Sequence, residues 1–158
     1  MRSDGSNVEE GVMPDKALDL RVWIRLLGCA KMIEKQLRRN FQEQFDTTLP
    51  RFDVMAALDR AADGLRMGAL SKALLVSNGN VTSIVRQMEE DGHVAYQPDP
   101  RDGRSAIVVL TPLGQTRFQE LAQAHHNWVR DALKDLPEMD QAQLLTLLDT
   151  LKLSLTRN

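Results

Sequence analysis

The chain has 158 residues, with 20 basic and 22 acidic side chains, and is 42% hydrophobic but only 4% aromatic. A domain of this length buries roughly two thirds of its surface and needs neither disulfides nor metals to hold a core. The formal charge of −2 excludes an indiscriminately basic nucleic-acid or membrane coat. The few aromatics disfavour an all-β sandwich or an aromatic RNA-binding platform. The lone Cys29 excludes an internal disulfide and suits a reducing, cytoplasmic setting.

Charge is unevenly placed along the chain. Residues 1–15 carry a net −3 and read as a disordered acidic tail, neither a signal nor a transit peptide. Residues 16–45 carry +4, residues 46–111 carry −2 and residues 112–158 carry −1. No apolar run approaches the ~20 residues of a membrane span.

In chain order, Leu18, Val22, Leu26, Ala30, Ile33, Leu37 and Phe41 recur at steps of three and four, the stripe of a long helix. Thr48 can cap a second helix, with Pro50 tolerated in its first turn. That helix carries Phe52, Met55, Ala56 and Leu58 and stops at Ala62-Asp63-Gly64. A third short helix bears Met67, Leu70 and Leu74. Val76 to Gly79 reads as a turn, with Ser77 and Asn78 as candidate caps for a fourth helix striped by Val81, Ile84, Val85 and Met88. Asp91-Gly92 ends that helix.

His93–Gln97 and Ser105–Leu110 read as two strands. The intervening Pro98-Asp99-Pro100-Arg101-Asp102-Gly103-Arg104 is a turn by its composition. Thr111-Pro112 opens a long helix running to about Lys134, and the leucines from Leu144 to Leu155 mark a last one. The expected class is mainly α with a small β-hairpin: a winged helix-turn-helix with terminal dimerisation helices. Residues 16–158 form one regulator domain, with dimerisation helices at 16–46 and 112–158. The DNA-binding lobe is 47–111, with its wing at 93–110.

Two short helices and a hairpin suit duplex DNA. A helix with a small polar face fits the major groove, where base edges carry a full donor–acceptor code. Stepping about 100° per residue places Val81, Ile84, Val85 and Met88 on one side of the fourth helix. Gly79, Ser83 and Arg86 fall opposite, flanked by Asn80, Thr82 and Gln87. Arg86 can read a guanine edge or clamp a phosphate. The alternative for Arg86 is a helix-surface pair with Glu89 or Glu90. Arg101 and Arg104 at the hairpin tip can enter a narrow minor groove, and Asp102 suits the support of Arg104 better than contact with DNA.

Several motifs together resemble the MarR family of dimeric bacterial winged-helix regulators. They are Asn80-Val81-Thr82, the segment Met88 to Val94, the tip Asp99 to Ser105 and Leu110-Thr111-Pro112-Leu113-Gly114. The resemblance implies a repressor of double-stranded DNA at a pseudo-palindromic operator, released by a small aromatic ligand. It assigns Arg104 to the minor groove, Asp102 to its support, and Ser77, Asn78, Asn80, Thr82 and Ser83 to the major-groove side. Ser83 stands where many members have a basic residue, and Arg86 where many have an acidic one. Leu20–Leu27, Leu49–Met55 and Ser77–Thr82 look like a subgroup linked to aromatic-compound catabolism, whose members sense aromatic acids or their coenzyme A thioesters. The effector candidates are Trp23, Cys29, Arg51, Met55 and His125, placed where the first, second and fifth helices meet.

Other readings remain open at this level. The acidic lobe admits a winged-helix protein-interaction module that binds no DNA. Cys29 admits a thiol-based redox regulator. Enzyme chemistry fares poorly, since the sequence has no Gly-rich phosphate loop, nucleophile elbow or metal-ligand spacing. No metal or cofactor is expected, because the neighbours His125 and His126 diverge by about 100° and cannot share an ion.

Overall fold

The structure, a computed structural model, describes residues 17–74 and 80–157. The acidic tail and the predicted caps Ser77 and Asn78 lie outside the described residues. Among those described, the order is α1 (Leu18–Phe45), α2 (Leu49–Arg60), α3 (Met67–Ala73), α4 (Val81–Glu90), β1 (Val94–Asp99), β2 (Asp102–Leu110), α5 (Pro112–Leu133) and α6 (Glu138–Thr156). The expected mainly helical layout with a hairpin wing is the one found.

Local chemistry accounts for the helix ends. The Thr48 hydroxyl accepts the Arg51 N–H at 3.3 Å, and Thr111 accepts the Gly114 N–H at 3.0 Å. Each cap is followed by a proline in the first turn, where the missing N–H costs nothing. Asn80 caps α4: its Oδ1 accepts the Ser83 N–H at 3.0 Å. Thr111 also donates its hydroxyl to the Gly92 carbonyl, tying the start of α5 to the end of α4.

The wing differs from expectation in extent. The strands run further toward the tip, leaving only Pro100-Arg101 between them. The extension is held by side chains invisible to strand propensity. The Asp99 carboxylate accepts the Arg101 N–H at 2.9 Å, and Asp102 accepts the Arg104 N–H at 3.1 Å. The antiparallel register pairs Val94 with Leu110 and Asp99 with Asp102, with a bulge beside Pro98. Leu65 adds a bridge that sequence reasoning missed. It donates to the Val108 carbonyl at 3.0 Å and accepts from the Val108 N–H at 2.8 Å. Gly64 makes that approach possible, at φ +81° with Val109 Cγ1 only 2.7 Å from where a Cβ would sit.

The core lies where α1, α2 and α5 meet the lobe. Phe41 is fully buried, with Phe52 at 4.9 Å and Trp128 at 4.9 Å between ring centroids. Leu70, Val85, Met88, Val94, Val108 and Leu121 continue it through the lobe. The first turns of α1 and all of α6 contribute no buried residue. No helix among the described residues is long and apolar enough to cross a membrane.

Candidate nucleic-acid interface

The interface is built on α4. Val81, Val85 and Met88 are buried, which locks one side of the helix onto the lobe and turns the other outward. Thr82, Arg86 and Gln87 are exposed, and Ser83 is half-buried. Asn80 spends its side-chain oxygen on the cap, so its amide NH₂ is the group left to reach outward. The Gln87 side-chain Oε1 accepts from the Arg51 guanidinium at 3.1 Å. The alternative pairing of Arg86 with Glu89 or Glu90 is not formed, and Arg86 has no ion pair among the described residues.

The wing tip carries the second group of candidates. Arg101 and Arg104 are exposed, and neither guanidinium has an ion pair among the described residues. Asp102 supports Arg104 through the backbone rather than through the guanidinium. One oxygen accepts the Arg104 N–H, and the other accepts the Ser105 hydroxyl at 3.4 Å. At the wing base Asp99 is buried and paired with Arg66 at 2.6 Å. The Arg101 N–H first, and then the Arg66 side chain, hold the Asp99 carboxyl below the usual carboxylate range. Arg66 opens α3 without a capping side chain, so this pair braces the helix-turn-helix against the wing. Sequence reasoning missed it. The partners are 33 residues apart, and no spacing rule links them.

The effector candidates do not share one cavity. Trp23 is exposed on α1. Cys29 is also exposed, lining an apolar groove of about 700 Å³ between α1 and α6 with Val22, Leu26, Leu147 and Leu148. Arg51 and Met55 line a separate cavity of about 250 Å³ with Met88, His93 and Arg117. His125 stacks on Phe52 at 4.6 Å inside the core, and burial lowers its pKa. The expected meeting point of α1, α2 and α5 is thus filled by aromatic rings. Arg51 is a cation in the first turn of α2, where the helix dipole disfavours it. Its counter-ion in the structure is Asp91, at 2.9 Å.

A helical pair that presents one outward helix beside a two-stranded wing defines a winged helix-turn-helix protein. Residues 45–105 match the MarR family model. The transcriptional activatory protein BadR of Rhodopseudomonas palustris is 40% identical over 105 residues, 65% of this chain and 59% of BadR. This chain therefore spans under two thirds of that relative's length. A MarR family regulator structure from Silicibacter pomeroyi superposes with a TM-score of 0.77 at 29% identity, covering 90% of this chain and 99% of that one. Sco3205 of Streptomyces coelicolor, solved in complex with DNA, shares the fold at a TM-score of 0.72 and 24% identity, covering 86% of each chain. Over residues 45–105 the chain is thus similar to the MarR family, and its fold is that of solved MarR family regulators.

Proposed function

We propose that the chain is a dimeric, sequence-specific DNA-binding transcriptional regulator. The observation that carries this reading is the pair of arginines left without an ion pair among the described residues. Arg86 stands on the outward face of α4, and Arg104 at the wing tip of the same lobe. In the proposed complex α4 enters the major groove, where Asn80, Thr82, Ser83 and Arg86 face the bases. Arg104, with Arg101 beside it, lies in the adjacent minor groove. Sco3205, solved in complex with DNA on the same fold, supports DNA as the partner. A regulator of this kind works beside the chromosome, in the cytoplasm.

Dimerisation through 16–46 and 112–158 is supported by apolar surface that stands exposed among the described residues. Leu20, Trp23 and Ile24 on α1, and Leu145, Leu147 and Leu155 on α6, are each more than half exposed. Monomeric proteins rarely leave such contiguous faces open. Two copies would set two α4 helices about one turn, ~10 bp, apart on a pseudo-palindrome.

The sequence motifs favour a repressor released by a small aromatic effector. BadR is by name an activator. The sign of regulation follows from where the operator lies relative to the promoter core, since one lobe can block or recruit polymerase.

The test is a footprint of the full chain on DNA upstream of its own gene at moderate salt. A protected pseudo-palindrome overlapping the promoter core is expected. A folded dimer that shows no sequence preference would overturn the reading and favour a protein-interaction module. If oxidation releases DNA from the parent chain but not from Cys29→Ser, a thiol switch replaces the ligand.

A further inference from the structure

We propose that Asp99 and Arg66 are positioning residues for DNA binding: their pair fixes the angle of the wing on α3, and so brings Arg104 to the minor groove while α4 lies in the major groove. The inference rests on the reading of α4 and the wing as the DNA-facing elements, and adds to it two residues that read no base.

The wing needs such a tie. A two-stranded hairpin has little stability of its own. Its base is anchored, with Val94 and Val108 buried and Leu65 bridged to Val108. Further out, β2 is exposed or half-buried from Asp102 to Ala106. Arg66–Asp99 is the one ion pair that joins this outer half of the wing to the rest of the lobe among the described residues.

A single carboxylate links three segments. Asp99 Oδ2 accepts from the Arg66 Nε at 2.6 Å, and Oδ1 accepts the Arg101 N–H at 2.9 Å. Directly across the ladder stands Asp102, whose Oδ1 accepts the Arg104 N–H at 3.1 Å. A line of short bonds therefore runs from the start of α3, through the turn, to the backbone that carries Arg104. Asp99 is buried where Asp102 is exposed, so its charge is costly without a partner. Arg66 is that partner, and charge-assisted bonds of this kind are among the strongest a protein makes.

Charge alone predicts the opposite of this proposal, so the two can be separated. Removing an acid from a DNA-binding lobe should strengthen its hold on any duplex. It should also strengthen binding if Arg66 were itself a phosphate contact that Asp99 keeps occupied. If Asp99 positions the wing, removing its charge should instead weaken binding to the operator. The minor-groove contact is then reached only by ordering a loosened wing. Asp99→Asn isolates the brace. Its one side-chain oxygen can keep the Arg101 N–H, while its NH₂ meets the Arg66 guanidinium donor to donor.

The test uses the full chain on an operator fragment and on a scrambled duplex of equal length, at one salt concentration. Asp99→Asn should bind the operator about 5-fold or more weaker and the scrambled duplex no weaker. In an Arg104→Ala background the same change should alter operator affinity less than about 2-fold, because the contact it positions is gone. Arg66→Lys keeps the charge and should fall between the parent and Arg66→Gln. Operator binding at parent strength or tighter in Asp99→Asn, or equal losses with and without Arg104, would overturn the proposal. Thermal melts establish that each variant is folded.

A second measurement needs no DNA. Spin labels on Gly68→Cys and Gly103→Cys, in Cys29→Ser chains diluted with unlabelled chain, report the distance from α3 to the wing tip. A Cβ at either glycine meets open space. One narrow distance is expected in the parent and a broad distribution after Arg66→Gln. The same narrow distance in both would overturn the brace. Should the parent bind no DNA at all, the labels still decide whether the pair sets the wing, and the DNA reading fails separately.

Discussion

Replacing Arg104 by Ala separates the proposed role of the wing from its folding. The side chain is exposed and makes no ion pair among the described residues, so the native state loses nothing it uses. The change in stability should stay within about 0.5 kcal/mol. What holds the turn is the backbone N–H of Arg104 donating to Asp102 at 3.1 Å, and alanine keeps that bond. On DNA the accounting reverses. A guanidinium placed in a groove contributes roughly 1–3 kcal/mol, so affinity should fall roughly 5- to 150-fold per wing. Losing one charge near the backbone should also lower the salt slope by about one per wing. Fluorescence anisotropy on an operator fragment across a salt series measures both quantities, and a urea melt measures the first. Asp102→Asn is the companion variant. It keeps the oxygen that accepts the Arg104 N–H and removes a charge beside the duplex, so it should bind at least as well as the parent. Unchanged affinity and slope in Arg104→Ala would take the wing off the DNA. A large loss of stability would refute the claim that Arg104 is free of structural work.

Three further outcomes follow from the geometry. Gly64→Ala puts a Cβ at φ +81° against Val109 and the Val108 carbonyl, and should cost about 2–4 kcal/mol in a urea melt. Leu147→Glu adds a charge to an α6 face that is already exposed in the single chain, so each copy should still fold. If that face is the dimer contact, light scattering should show the dimer weakened about 100-fold or more, and an unchanged dimer would move the interface elsewhere. His125 and His93 both have pKa values lowered from 6.5, first by burial. The unfolded chain therefore takes up protons first as pH falls. Stability should be full above the unfolded value and should decline as pH drops through 6.5 toward the lowered folded values. A His125→Leu variant should show a shallower decline, and the same slope in both would place the acid sensitivity elsewhere.

What the sequence made legible was whatever obeys a local rule. The stripe from Leu18 to Phe41, the caps at Thr48 and Thr111, and the prolines after them each state their structure within four residues. The rest depended on distance. Arg66 and Asp99, 33 residues apart, and Arg51 and Asp91, 40 apart, have no periodic signature. Yet the first pair sets the base of the wing, and the second ties α2 to α4. The wing length was misjudged for the same reason: Asp99 and Asp102 look like turn formers by composition, but their carboxylates extend the strands by taking backbone N–H groups. The effector candidates were chosen by residue type along the chain. The fold sorts them into a groove, a cavity and the core.

The acidic sum of the lobe takes on a different meaning once its acids are placed. Of the nine acids from Asp46 to Asp102, Asp53 and Asp99 are buried. Asp91 is held by Arg51, Asp46 accepts from Gln42, and Asp102 is folded into its own turn. Glu89 and Glu90 close the C-terminal end of α4, away from the Asn80 cap that leads the helix toward the proposed groove. Much of the negative charge is thus internal or distal, and Arg86, Arg101 and Arg104 are left facing outward with no ion pair among the described residues. A net charge near zero then favours selectivity. With few cations to hold the phosphate backbone anywhere, non-specific affinity is low, and a site is held only where the placed contacts are met together. The corollary is that adding a lysine to the exposed face of α4 should raise binding to arbitrary DNA more than binding to the operator.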